Sequence, residues 1–72
     1  MQKLDFSLQG EFVELNQLLK LVGLCDSGGA GKAIVASGDV CVDGQQELRK
    51  TAKIRAGQVV QLGDIEITVA AE

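Results

Sequence analysis

The spacing of apolar residues changes along this chain, and that change restricts its fold more than any other feature. Leu15, Leu18, Leu19 and Val22 recur at three- and four-residue intervals, which is the stripe of an amphipathic helix. From Val40 onward apolar residues largely alternate with polar ones, which is the period of a half-buried strand. The sequence therefore predicts helices from Leu15 onward, followed by several strands from Val40 onward.

Turn residues and a further alternating segment complete the prediction. A first strand contains Leu4, Phe6 and Leu8 and ends at Gly10. The later strands contain Val40–Val42, Ile54, Val59–Leu62 and Ile65–Val69, with tight turns at Asp43-Gly44, Ala56-Gly57 and Gly63-Asp64. Residues 45–53 form a polar and basic loop or ribbon. We predict one α+β domain over residues 1–72, with two helices packed on a small, mainly antiparallel sheet.

The second helix has well-defined ends but an unusual start. Ser27 is a good N-cap, and glycine follows each helix as a natural stop, at Gly23 and Gly38. The residues predicted to lie on one face of the second helix are Ala30, Ala33, Ile34 and Ser37. Gly28, Gly29 and Gly31 are each poor helix formers, costing up to about 1 kcal/mol relative to alanine. So many glycines at a helix start suggest that the backbone closely approaches another group.

The composition argues against an enzyme. The 72 residues include no His, which is the usual general base and the commonest metal ligand. Cys25 and Cys41 are too few and too far apart for a zinc site, and we expect reduced, half-buried thiols. No paired-carboxylate or Ser/His arrangement is present. We expect no catalysis, no metal, no cofactor and no small-molecule substrate.

The sequence also lacks the patterns of membrane and exported segments. The first ten residues alternate in polarity, unlike a signal peptide. No stretch approaches the roughly 20 apolar residues of a membrane span. A cytoplasmic location, without membrane partners, is the expectation.

The distribution of charge matters more than its sum. The net charge is −3, which by itself argues against binding a polyanion. However, four of the seven basic residues, Arg49, Lys50, Lys53 and Arg55, lie in one segment that contains no acid. Such a local patch can displace counterions from RNA. A solvated sheet edge that blocks strand pairing is the alternative interpretation.

The start of the second helix is a further candidate anion site. Its sequence is not a phosphate-binding loop, because Asp26 occupies the first glycine position and Ala33 the Ser/Thr position. A helix start still presents free amide donors and a positive dipole end. Ser27, Gly28, Gly29 and Lys32 could therefore hold a phosphate. An ordinary capped helix with a solvent-facing lysine remains equally open.

Both aromatic residues, Phe6 and Phe12, are at alternating or core-like positions. We therefore predict no stacking platform for single-stranded bases. If RNA binds, recognition should be of backbone shape in a folded or duplex RNA.

The order of these segments resembles the S-four-like RNA-binding domain, or αL motif, and most closely its short stand-alone members of the YbcJ and YaaA type. The match extends over residues 15–64 and is carried by Leu15, Leu18-Leu19-Lys20, Gly23, Ser27–Lys32, Gly38–Gly44, Glu47–Lys50, Lys53–Gly57 and Val59-Val60. The resemblance implies two helices followed by a small sheet.

The resemblance also implies RNA binding by the second helix and the segment beyond it. The implied contacts are Ser27, Gly28, Gly29, Lys32, Arg49, Lys50, Lys53 and Arg55. Larger relatives often carry arginine on the second helix, where this chain has Gly28 and Gly31. Asparagine is also more usual in the family where Asp43 adds a negative charge. These departures imply modest or partner-assisted affinity for structured RNA, with ribosomal and transfer RNA as the candidates.

Two other functions fit the size of the chain. A protein-interaction module, associated with the ribosome, would present the same basic face to an acidic partner. A ubiquitin-like carrier would end in Gly-Gly, whereas this chain ends Ala70-Ala71-Glu72. The carrier is therefore the weaker alternative.

Overall fold

The computed structural model describes residues 2–72 and confirms the α+β fold. The strands are β1 (Gln2–Leu8), β2 (Val13–Glu14), β3 (Val40–Val42), β4 (Gln45–Gln46), β5 (Lys53–Ile54), β6 (Val59–Leu62) and β7 (Ile65–Ala71). The helices are α1 (Leu15–Leu21) and α2 (Gly28–Ala36). Each predicted helix and strand is therefore present, within about two residues of its predicted limits.

The main sheet has five strands in the order β1-β7-β6-β3-β4. All neighbours are antiparallel except β1 and β7, which run parallel from Gln2 opposite Ile65 to Leu8 opposite Ala71. Alternation along each strand could not predict this parallel pair, because it carries no information about a strand's partner. The sheet is thus mixed but mainly antiparallel, as expected.

A second, two-stranded sheet was not predicted. Val13 pairs with Ile54 and Glu14 with Lys53 in antiparallel register. Two-residue strands are too short for a periodic signal. This small sheet fixes the basic segment around Lys53 beside the first residue of α1.

One apolar cluster joins the helices to the sheet. Its buried members are Leu8, Leu15, Leu18, Leu19, Val35, Val40, Ala52, Ile54, Val60, Ile67 and Val69. Leu15, Leu18 and Leu19 of the predicted helical stripe are fully buried, and Val22 packs against them. Burying side chains of this size is worth about 1.5–3 kcal/mol each, so this cluster holds α1 against the sheet.

The buried face of α2 matches the predicted one only in part, since Ile34 packs against the core. Gly31 and Val35 are buried, whereas Ala33 and Ser37 are exposed. A β-carbon on Gly31 would overlap the backbone carbonyl of Asn16. Because α1 comes this close, glycine and not a larger apolar residue occupies the contact, and the face could not be recognised by hydrophobicity.

The turns conform to their sequences. Asp43 and Gly44 both have positive φ, 51° and 83°, the combination of a type I′ hairpin turn. The Asp43 carboxylate accepts hydrogen bonds from the Val59 N–H at 2.9 Å and the Gln58 amide at 3.4 Å. The acid that departs from the family pattern therefore ties the β3–β4 turn to the start of β6.

Candidate functional site

The first turn of α2 has the predicted cap. The Ser27 hydroxyl accepts a hydrogen bond from the Ala30 N–H at 3.0 Å. The N–H groups of Gly28 and Gly29 have no protein partner within the described chain, as is usual for the first residues of a helix. Gly29 and Lys32 are exposed. This turn therefore presents two amide donors and one cation to a ligand.

Asn16 joins this turn to the basic segment. It is only 2% exposed, and its side-chain amide donates to the carbonyl of Gly28 at 3.3 Å. Its backbone N–H donates to the carbonyl of Lys50 at 3.2 Å, and Leu15 donates similarly to Ala52 at 2.8 Å. The start of α2 and residues 50–52 thus meet at the N-terminal end of α1.

The side-chain oxygen of Asn16 has no hydrogen-bond partner among residues 2–72. No sequence pattern singles out Asn16, because one polar residue beside a leucine stripe usually faces solvent. Its role depends on the two separate segments that it contacts.

Arg49 is already engaged by an acid. Its guanidinium donates two hydrogen bonds to the Glu47 carboxylate, at 2.9 and 3.1 Å, and its backbone N–H donates a third at 3.0 Å. The side-chain bonds from Arg49, followed by its backbone N–H, lower the pKa of Glu47 from its ordinary value of 4.5 to about 2. The same carboxylate raises the pKa of Arg49. This predicted contact residue is therefore paired with a negative charge.

Lys53 and Arg55 meet at an aromatic ring. The Lys53 Nζ lies 4.9 Å from the centre of the Phe12 ring, and the Arg55 Cζ lies 5.9 Å from it. Both cations therefore lie near the same side chain. Arg55 is also held by hydrogen bonds to the Glu11 carbonyl, at 3.4 Å, and from its own N–H to Gln58, at 2.7 Å.

Phe12 is not the core residue that the sequence suggested. It is 38% exposed and forms one wall of a groove of about 390 Å³, which residues 6–9, Val13 and Leu21 complete. The core-like position predicted for Phe12 is thus wrong, and its ring is partly accessible. Phe6, in contrast, packs against the core. Phe12 immediately precedes β2 and Arg55 immediately follows β5, so the pairing of β2 with β5 places Phe12 beside Arg55. The spacing of these residues in the sequence does not show this proximity.

The predicted residues thus form two groups around one end of α1. Ser27, Gly28, Gly29 and Lys32 lie on α2, next to Asn16. Lys50 follows Arg49 on the loop that Asn16 also contacts, and Lys53 and Arg55 continue from it. We call Lys32, Lys50, Lys53 and Arg55, which form no salt bridge within residues 2–72, the basic surface.

Residues 2–72 contain no group of three or more acidic, Cys or His side chains that could hold a metal ion. Cys25 and Cys41 are half-buried free thiols, as predicted. Neither of the helices in this part of the chain is long and apolar enough to cross a membrane.

Comparison with known proteins identifies the family. Residues 6–70 match the S4 domain family. YbcJ of Escherichia coli and YbcJ of Shigella flexneri are each 48% identical to this chain over 59 residues, covering 82% of the chain and 84% of the relative.

A solved structure gives the same result for the fold. The solution structure of Escherichia coli YbcJ, described as revealing an αL motif involved in RNA binding, has a TM-score of 0.66 and 39% identity. The similarity covers 99% of this chain and 89% of YbcJ. The chain therefore belongs to the S4 domain family and has the αL fold.

Proposed function

We propose that this protein binds structured RNA through its phosphates, and that its role is binding rather than catalysis. The amide groups at the start of α2 hold one phosphate, next to Ser27, Gly28, Gly29 and Lys32. The remainder of the basic surface, Lys50, Lys53 and Arg55, follows the backbone beyond it. The family and the αL motif of YbcJ, which is described as involved in RNA binding, support this proposal.

The observation that carries the proposal is the position of Asn16. Through its side chain it contacts Gly28, and through its backbone it contacts Lys50. The two anion-binding candidates, which are far apart in sequence, are therefore neighbours at the N-terminal end of α1. A helix start beside a run of cations is suited to a polyanion. The helix start supplies amide donors to one phosphate, and the cations supply positive charge to others.

The overall acidity of the chain does not oppose this arrangement. Glu47 forms a salt bridge with Arg49. On the neighbouring strands β1 and β7, the Lys3 Nζ lies 3.9 Å from a carboxylate oxygen of Glu66. Asp43 is bonded to the β6 backbone. Because Arg49 is neutralised by Glu47, we assign it a smaller share of the affinity than Lys50, Lys53 or Arg55.

The finer aspects of the function follow from the same proposal. The bound RNA is folded, such as ribosomal or transfer RNA. The protein acts in the cytoplasm, in association with the ribosome. Crosslinking in cells and sequencing of the bound RNA would identify it. Recovery of only unstructured RNA would contradict this part of the proposal.

The direct test compares two double variants with equal loss of charge. Lys50→Ala with Lys53→Ala removes two cations from the basic surface. Lys3→Ala with Lys20→Ala removes two cations elsewhere. Affinity for a folded RNA is measured by fluorescence anisotropy over a series of salt concentrations.

We expect the first variant to bind more weakly, with its log–log salt slope reduced by about 0.7–0.9 for each lost phosphate contact. The control variant should change the affinity and the salt slope much less. Equal effects of the two variants would mean that total charge, and not this surface, determines binding. Circular dichroism establishes that both variants are folded.

A further inference from the structure

The groove beside Phe12 is not explained by phosphate binding alone. Exposing a large aromatic ring costs free energy, because a buried ring would remove a large apolar area from water. Phe12 nevertheless remains 38% exposed. It lines an apolar groove, together with Leu21, and its ring also lies close to the two cations Lys53 and Arg55.

The surroundings of the Phe12 ring combine apolar and cationic groups. The groove is lined mainly by apolar side chains, with Ser7 and Gln9 as its polar members. The cations approach the same ring, which attracts them through its negative face. A complementary ligand has a flat apolar part with hydrogen-bonding edges and an anionic group adjacent to it.

An unpaired nucleotide has this combination. Its base can stack on an aromatic ring, and its phosphate is attached to the same sugar as the base. The volume of about 390 Å³ is at the lower end of small-ligand sites and is sufficient for a single base. An acidic, apolar peptide would be the alternative, but the same Lys53 and Arg55 already belong to the proposed RNA surface.

We propose that the groove holds one unpaired base of the bound RNA against the ring of Phe12, while Lys53 and Arg55 hold the phosphate of that nucleotide. This inference rests on the proposed function and adds to it. The protein recognises a bulge or loop within a folded RNA, in addition to the phosphates of its paired regions.

The test compares two RNA hairpins with the same number of phosphates. One has a single bulged adenosine, and the other has an abasic nucleotide at the same position. We expect the protein to bind the adenosine hairpin at least about fivefold more tightly, since stacking on an aromatic residue contributes substantially per base. Because only the RNA changes, this comparison does not depend on the folding of a variant.

Substitution of Phe12 assigns the difference to the groove. Phe12→Leu keeps an apolar side chain but removes the aromatic face, so the two hairpins should bind equally and near the weaker affinity. Leu48→Ala is the control, because Leu48 is also exposed but lies outside the groove. This control should retain the full difference between the hairpins.

A fluorescence measurement tests the contact itself. The chain contains no Trp or Tyr, so Phe12→Trp introduces the only strong fluorophore. We expect the adenosine hairpin, and not the abasic one, to quench its emission. Quenching of equal size by both hairpins would mean that no base reaches the groove.

The two proposals fail differently in these experiments. Equal affinity of the unchanged protein for both hairpins would overturn the base-binding inference and leave phosphate binding intact. Absence of binding to either hairpin would overturn both. If an acidic peptide containing leucine quenched the emission of the Phe12→Trp variant while the hairpins bound equally, the groove would belong to a protein partner, and the inference would also be wrong.

Discussion

Gly31 of α2 packs directly against the backbone of Asn16 in α1. A β-carbon on Gly31 would lie 3.0 Å from both the Cα and the carbonyl carbon of Asn16, and closer still to its oxygen. Backbone atoms cannot move aside as a flexible side chain can. The absence of a side chain at Gly31 therefore sets the distance between the helices, and with it the position of the α2 start relative to Lys50.

We expect Gly31→Ala to destabilise the protein by about 1–3 kcal/mol, because overpacking of this contact outweighs the better helix propensity of alanine. Gly29→Ala is the matched control. The nearest atom to a β-carbon there is the Ser27 hydroxyl oxygen at 3.9 Å, so that variant should be as stable as the original or slightly more so. Urea denaturation measures both. Equal stability of the two variants would show that the helices can separate without cost.

Much of this fold could be predicted because its elements carry local signals. The stripe of Leu15, Leu18 and Leu19 identifies α1, and the positive-φ turn at Asp43-Gly44 identifies a hairpin. The parallel pairing of β1 with β7 has no such signal, since it depends on the whole topology. The predicted face of α2 is only partly right, because Ile34 packs against the core but the closest contact of this helix is made by a glycine.

The candidate site was predictable in its charges but not in its contacts. Sequence spacing identified the cations, and the family resemblance related them to the start of α2. The sequence could not show that Arg49 forms a salt bridge with Glu47. A two-residue spacing is compatible both with such a pair and with two separately exposed side chains. Nor could the sequence show that Phe12 is exposed, which depends on the short β2–β5 pairing.

The cap of α2 is expected to contribute to stability independently of RNA. Ser27→Ala removes the side-chain acceptor from the first turn and should cost about 0.5–2 kcal/mol in urea denaturation. Ser27→Asp keeps an acceptor and should restore most of that stability. The same Asp variant should bind RNA more weakly, because it places a carboxylate beside the proposed phosphate. Restored stability with undiminished binding would remove Ser27 from the site.

The pair of Glu47 and Arg49 makes stability depend on pH. The pKa of Glu47 is about 2 in the folded protein and 4.5 ordinarily, so the unfolded chain binds more protons between these values. The stabilisation is fully present above pH 4.5 and is lost as the pH falls toward 2. The stability of the original protein should therefore decrease over this range by more than that of Glu47→Gln.

This difference between two pH profiles isolates the pair, because the other carboxylates contribute to both. Urea midpoints are measured from about pH 7 to about pH 2. Arg49→Gln should reduce the pH dependence by a smaller amount, since it removes the guanidinium but keeps the backbone N–H that also lowers the pKa of Glu47. A constant difference between the original protein and Glu47→Gln throughout the range would contradict the role of this pair.

Glu47 should also restrict RNA binding. Glu47→Gln releases the Arg49 guanidinium from a carboxylate next to the basic surface, so we expect tighter binding. If Arg49 then contacts one more phosphate, the salt slope should become steeper by about 0.7–0.9. Glu66→Gln is the charge-matched control, because it releases Lys3 from its partner on β7, away from the basic surface. If both variants strengthen binding equally, the gain comes from net charge, and Arg49 is not part of the RNA contact.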